Sequence, residues 1–222
     1  MPDAEKDIPN LGPVSLGRHV VLASASPYRQ KLLRDAGVDF RVLVSDVDES
    51  LQPLSEPESY ATGLAMRKAQ AVAARCHNAI VIGADTICAI GNDVIGKPRD
   101  EEDAVAMISR ACNAGLQRVI TGVCIIDSVD MHSETGAVTS LVEMRPAPMP
   151  VIRAYVSTGE PMGKCGALAI ESANTFVKRW EGSYSNIMGL PLEWLLPRLM
   201  AMAGRQVAGA SARKPVAGGD IQ

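Results

Sequence analysis

At 222 residues, with 47% apolar and 21% charged positions, the chain has the balance of a soluble globular protein long enough to bury a full core. A formal net charge of −3 argues against broad contact with the phosphate backbone of DNA or RNA, so any anionic ligand has to be held by a local cluster of donors. Only two Phe, two Trp and four Tyr occur, which leaves Ala, Val, Leu, Ile and Met to build the core.

The first predicted element is the apolar strand His19–Ala23, ending in Ser24-Ala-Ser-Pro27. A helix then runs to Asp35 and closes at Gly37, with Ser26 as N-cap and Pro27 as first helical residue. Phe40–Val44 reads as a second strand, and Asp46–Pro57 as an acidic connection. Glu58–Cys76 is an Ala-rich helix, followed by the buried strand Ala79–Ala84, which leads into Asp85 and continues apolar over Thr86–Ile90. After a turn at Gly91–Asp93, Val94–Ile95 lead into Gly96-Lys-Pro98, and Asp100–Ala111 is a helix. Val119–Ile126 and Ala137–Arg145 are strands joined by an Asp127–Gly136 connection. Val151–Thr158 is helical, Ala167–Ile170 short and apolar, Gly182–Asn186 a turn, and Pro191–Ala203 the last helix. Strands interleaved with helices predict an α/β fold around a mixed sheet. The expected organisation is a flexible extension over 1–17, one domain over 18–203 and a disordered tail over 204–222.

Five scattered cysteines without a C-x-x-C pair read as reduced, packed thiols, and the three histidines lack metal-ligand spacing. Met1–Gly17 has no apolar run of the signal-peptide kind, and no stretch is long and apolar enough for a bilayer. The expectation is a cytoplasmic protein with no membrane partner.

Three segments carry chemistry. A strand that stops at Ser24 and Ser26 just before a helix offers free amides, two hydroxyls and the Arg29 guanidinium to a phosphate. The plainer reading is a helix cap with a solvated arginine. Asp85 ends a central strand, where α/β sheets place their ligands, and can hold magnesium, orient a water or merely close a turn. Lys97 follows a turn that could return it towards the same place, although a lone Gly-Lys-Pro more usually holds a surface lysine, and Lys68 on its helix reads by itself as an exposed lysine. The carboxylates Asp46, Asp48 and Glu49 suit a hard cation or a solvated loop. Asp46-Val-Asp-Glu-Ser50 also fits the D-x-D-x-[ST] pattern of haloacid-dehalogenase-like phosphatases, whose first Asp is phosphorylated. Walker A, G-x-G-x-x-G and G-x-S-x-G motifs are absent.

Taken together, eight segments in order resemble the Maf (septum formation) family: Leu22–Arg29, Val47–Glu49, Lys68–Ala69, Gly83–Thr86, Gly96–Pro98, Ile120–Val123, Ser157–Pro161 and Glu181–Pro191. The resemblance implies a two-lobed, Maf/ITPase-like α/β fold with a nucleotide cleft in a mixed sheet flanked by helices. It also implies a homodimer and the cutting of a nucleoside triphosphate to a monophosphate and pyrophosphate, as a house-cleaning activity. By the same resemblance Ser24, Ser26 and Arg29 bind phosphate, and Glu49 and Asp85 serve magnesium (or manganese or another divalent cation) and the attacking water. Asp85 is then the favoured general base, and Lys68 and Lys97 neutralise charge on the triphosphate.

Two positions depart from the family's commoner pattern and bear on the substrate. Tyr28 stands where many relatives have the first of two arginines, and members resembling 7-methylguanosine triphosphate pyrophosphatases tend to have an aromatic residue there. Glu171 stands where dTTP/UTP-type members often have Gln, and it would contact the base or a metal. Asp85-Thr86 and Gly182–Asn186 look like the dTTP/UTP type. The alternatives carried beside this reading are the aspartyl-phosphate phosphatase and a non-catalytic nucleotide-binding regulator of division.

Overall fold

Strands rich in Val, Ile and Thr and helices rich in Ala and Leu assemble into a seven-stranded mixed sheet covered by helices on both faces. The computed structural model describes residue 9 and residues 16–49, 56–170 and 175–205. The expected tail therefore lies outside the described residues except for 204 and 205, and the expected extension except for 9, 16 and 17.

The strands are β1 (His19–Leu22), β2 (Arg41–Val42), β3 (Ala79–Ile90), β4 (Asp93–Ile95), β5 (Leu116–Asp127), β6 (Ser133–Met144) and β7 (Val177–Glu181). The helices are α1 (Pro27–Asp35), α2 (Pro57–Ala73), α3 (Glu101–Ala114), α4 (Met149–Val156), α5 (Tyr184–Ile187) and α6 (Leu192–Ala203). Strand order is β2-β1-β3-β5-β6-β7, with β4 beside the far half of β3. β1 runs parallel to β2 and β3, and every other pairing is antiparallel.

Two features of this sheet make room for a ligand. β1 stops pairing where Leu22 meets Ile82, and β4 begins pairing only at Cys88. Between those points β3 has a strand neighbour on its β5 side alone, so a gap opens beside Asp85 and Thr86. The second feature follows from the alternation of side chains. On one face, Ile80, Ile82, Val123 and Ile125 pack with Leu32, Leu33, Leu195 and Leu199 of α1 and α6. Further along the same face, Cys88, Val119 and Val142 pack with Ile108 of α3 and Ile152 of α4. Two lobes of core thus share one sheet, and Thr86 and Thr121 lie between them.

The other face belongs to α2. Its alanines approach so closely that a Cβ at Gly83 would overlap the Ala65 carbonyl oxygen, and one at Gly122 would overlap the backbone of Ala61. Glycine at those two places lets the helix sit on the sheet and brings Lys68 to the gap.

The α/β class and most elements match expectation, and the differences have physical causes. Ala79–Ala84 and Thr86–Ile90 form one strand, since Asp85 pairs in register with Gly122. β5 and β6 extend past the predicted ends and form a long hairpin, replacing the expected ten-residue connection. β2 shrinks to two exposed residues at a sheet edge. β7 was not expected: Val177-Lys-Arg-Trp-Glu181 carries three charges and pairs only along the β6 edge, where solvent accepts them. The expected turn at 182–186 contains the short α5.

Candidate active site

The gap beside β3 opens into a cleft of ≈ 520 Å³ whose lining includes Ser24, Ser26, Tyr28, Arg29, Glu49, Lys68, Asp85 and Lys97. These come from five separate stretches of chain, and the fold brings all of them together. Glu171 lies outside the described residues. Of the acidic run after β2, Glu49 lines the cleft and Asp46 and Asp48 do not.

Lys68 is buried, not exposed, and its Nζ donates to Asp85 Oδ1 at 2.6 Å and lies 2.9 Å from Glu49 Oε1. Asp85 is buried as well, while half of the Glu49 side chain faces solvent. Burial pushes the Glu49 carboxyl up, but the hydrogen bond from Lys68 and the charges of Lys68, Lys97 and Arg29 outweigh it and hold it below its ordinary value. One lysine therefore holds two carboxylates side by side at the mouth of the cleft.

Arg29 is anchored three ways: Nε donates to Gly189 O at 2.8 Å, Nη1 to Ser24 Oγ at 3.0 Å and Nη2 to Thr86 Oγ1 at 2.9 Å. A guanidinium has five N–H groups, so two stay available for phosphate oxygens. Burial lowers the Arg29 pKa, opposed by the charges of Asp85 and Glu49. Ser26 caps α1, its Oγ accepting from Arg29 N at 3.5 Å, and Ser26 N donates to Ser24 Oγ at 3.3 Å. The cap and the phosphate cradle are thus compatible.

Sequence reasoning gave no role to Thr86, Thr121, Asn186 or Gln117, though the first three lie inside the family-like segments. The hydroxyls of Thr86 and Thr121 are 3.0 Å apart, and Thr121 Oγ1 donates to Asn186 O at 3.0 Å. Asn186 Nδ2 donates to Val119 O and Ser140 Oγ, while Ser183 and Ser185 both donate to Glu193 at the start of α6. The Gly-Ser-Tyr-Ser-Asn segment therefore ties α6 to the sheet and presents Gly189, at φ 110°, to Arg29. Alternation within β3 and β5 could have flagged Thr86 and Thr121 as polar residues on a buried face.

Among the described residues no group of three or more His, Cys, Asp or Glu is placed to hold a metal. Glu49 and Asp85 each give one oxygen to Lys68. Their other oxygens fit a hard cation that takes one or two carboxylates and completes its shell with phosphate oxygens and water.

A family model described as "Maf-like protein" matches residues 19–202. A protein named dTTP/UTP pyrophosphatase from Pelotomaculum thermopropionicum is 40% identical, over 82% of this chain and 95% of its own length. Proteins of that name from Desulfitobacterium hafniense and Geobacter sulfurreducens are 42% and 44% identical, over 82% and 78% of this chain and 85% and 91% of theirs. A solved nucleoside-triphosphatase / dITP/XTP pyrophosphatase from Mycobacterium abscessus aligns with 59% of this chain and 76% of its own at 9% identity. Its TM-score is 0.36, too slight a likeness to carry anything over.

Proposed function

The chain belongs to the Maf-like protein family, and on that premise we propose that it hydrolyses dTTP and UTP to the monophosphate and pyrophosphate. The observation that carries this reading is the grouping of Asp85, Glu49 and Lys68 with Ser24, Arg29 and Lys97 in one cleft. Carboxylates on one side and fixed donors on the other are what hydrolysis of a polyphosphate needs, because the reaction depends on positioning and charge stabilisation more than on covalent chemistry.

In this reading a water attacks the α-phosphorus and Asp85 takes its proton. The bond from that phosphorus to the bridging oxygen breaks, and pyrophosphate leaves. Lys68 holds Asp85 in place through the 2.6 Å hydrogen bond. Arg29, Ser24 and the amides at the start of α1 receive phosphate oxygens, and Lys97, exposed at the mouth, offsets charge on the departing group. Glu49 and Asp85 would hold magnesium or a similar divalent cation, which supplies charge neutralisation on the triphosphate. A cytoplasmic house-cleaning role as a homodimer, without nucleic-acid or membrane partners, belongs to the same proposal. Among the described residues, no helix is long and apolar enough to cross a membrane.

One observation favours a pyrimidine over 7-methyl-GTP: the similar proteins carry the dTTP/UTP name.

A product-resolved hydrolysis screen with magnesium, covering dTTP, UTP, the other nucleoside triphosphates and 7-methyl-GTP, tests the proposal. Pyrophosphate and monophosphate from dTTP and UTP are expected. Orthophosphate as the first product would point instead to the aspartyl-phosphate reading, and binding without turnover to a regulator.

A further inference from the structure

Away from the carboxylates the cleft is walled by Val119, Val142, Leu168, Ile170 and Val177. One carboxamide stands among them. Gln117, near the start of β5, lines the cleft at 4% exposure, and its Oε1 is buried with no hydrogen-bond partner among the described residues. Gly166, held at φ 67°, closes over this spot: a Cβ there would come within 2.9 Å of Cys88 Sγ and 3.7 Å of Gln117 Oε1. The backbone approaches the amide without satisfying it.

An unmade buried hydrogen bond is unfavourable, and in a cleft its natural complement is a donor on the ligand. The position fits a base. Alternation along β5 turns Gln117 to the same face as Val119 and Thr121, while Asp85, paired with Gly122, stands at the gap beside β3, and both line the one cleft. A nucleotide with its α-phosphate at Asp85 would run from the gap towards the lobes, with its base towards Gln117.

We propose that Gln117 is the specificity-determining residue for the base, reading the imide edge of uracil or thymine; this rests on the pyrophosphatase reading above. Oε1 accepts from the ring N3–H, and Nε2 donates to the neighbouring ring carbonyl. The apolar walls cover the ring faces. A base without an N–H at that position leaves Oε1 unpaired and buried, and is rejected for that reason.

The test compares UTP with 3-methyl-UTP, which lacks only the N3–H donor, in the wild type, Gln117→Leu and Gln117→Glu. The wild type should prefer UTP strongly. In Gln117→Leu, kcat/KM for UTP should fall about 10- to 100-fold, chiefly through KM, while 3-methyl-UTP changes little. Gln117→Glu keeps the acceptor but sets a negative oxygen against the ring carbonyl, so UTP should lose there as well. The preference ratio is independent of how much of a variant is folded. A wild type that cleaves both analogues equally, or a ratio unchanged in Gln117→Leu, overturns the assignment and leaves the pyrophosphatase reading standing. A wild type that releases pyrophosphate from neither overturns both.

Discussion

Asp85 and Lys68 form a buried ion pair at 2.6 Å. Asp85→Asn keeps the shape and removes the base, so turnover should fall about 100- to 10,000-fold while nucleotide binding, followed by calorimetry, persists. Unchanged turnover would remove Asp85 from the proposed role. Arg29 differs, because it contacts Gly189, Ser24 and Thr86 and has two N–H groups left for phosphate. Arg29→Ala should raise KM for triphosphates and leave affinity for the bare nucleoside unaltered. Arg29→Lys should not restore it, since an ammonium cannot reach three acceptors in a fixed fork. Glu49 carries a pH prediction. Its folded pKa is lowered from 4.5, so the interactions of its carboxylate are fully present above that value and are lost only as pH falls through the lower one. Divalent-cation binding should therefore hold down to about pH 5 and weaken only in more acid buffer, with Glu49→Gln already weak at neutral pH.

At the scale of elements, α2 is the part whose position matters most to the site. Its seat on β3 and β5 depends on Gly83 and Gly122, where a side chain would strike the helix backbone. Gly122→Val should lift α2, move Lys68 away from Asp85, and lower stability and turnover together, by about 1–3 kcal/mol in urea unfolding. Unchanged stability and turnover would mean that α2 tolerates the change. The far end of β5 carries a second anchor. Arg18 Nη2 and Nη1 donate to the fully buried Asp127 at 2.8 and 3.2 Å, joining the entry to β1 with the β5–β6 hairpin. Removing one partner leaves a buried charge alone, so Arg18→Ala should destabilise by about 3–5 kcal/mol. This anchor is distant from the cleft, and kcat of the folded fraction should be unaffected.

At the scale of the molecule, two lobes of core on one face of a shared sheet leave the cleft between them, and every proposed group reaches that one place. The homodimer implied by family resemblance predicts a light-scattering mass of twice the 23.5 kDa chain. A monomer at micromolar concentration would remove the dimer from the proposal without touching the site.

The elements with strong periodicity and the residues with strong chemistry are legible in the sequence alone. Buried strands such as Ala79–Ala84 declare themselves through continuous apolar runs, and Ser26-Pro27 is a helix start by local backbone physics alone. Ser24, Arg29, Asp85 and Lys97 were legible as candidates from their places at strand ends, a helix start and a turn, and Glu49 from its acidic run, whereas Lys68 became one only through the family resemblance. What they were doing together was not legible. Lys68 read as an exposed helical lysine because nothing on α2 reveals that two glycines, far away in sequence, let the helix approach Asp85. β7 was invisible because an edge strand can carry charges, and its pairing is supplied by β6. Gln117 had no signal at all: an amide is ordinary in any sequence, and only the packed fold shows that its oxygen is buried in the cleft without a partner among the described residues. Local propensity and composition are properties of short stretches, whereas burial, ion pairing and unmet hydrogen bonds exist only once distant stretches meet.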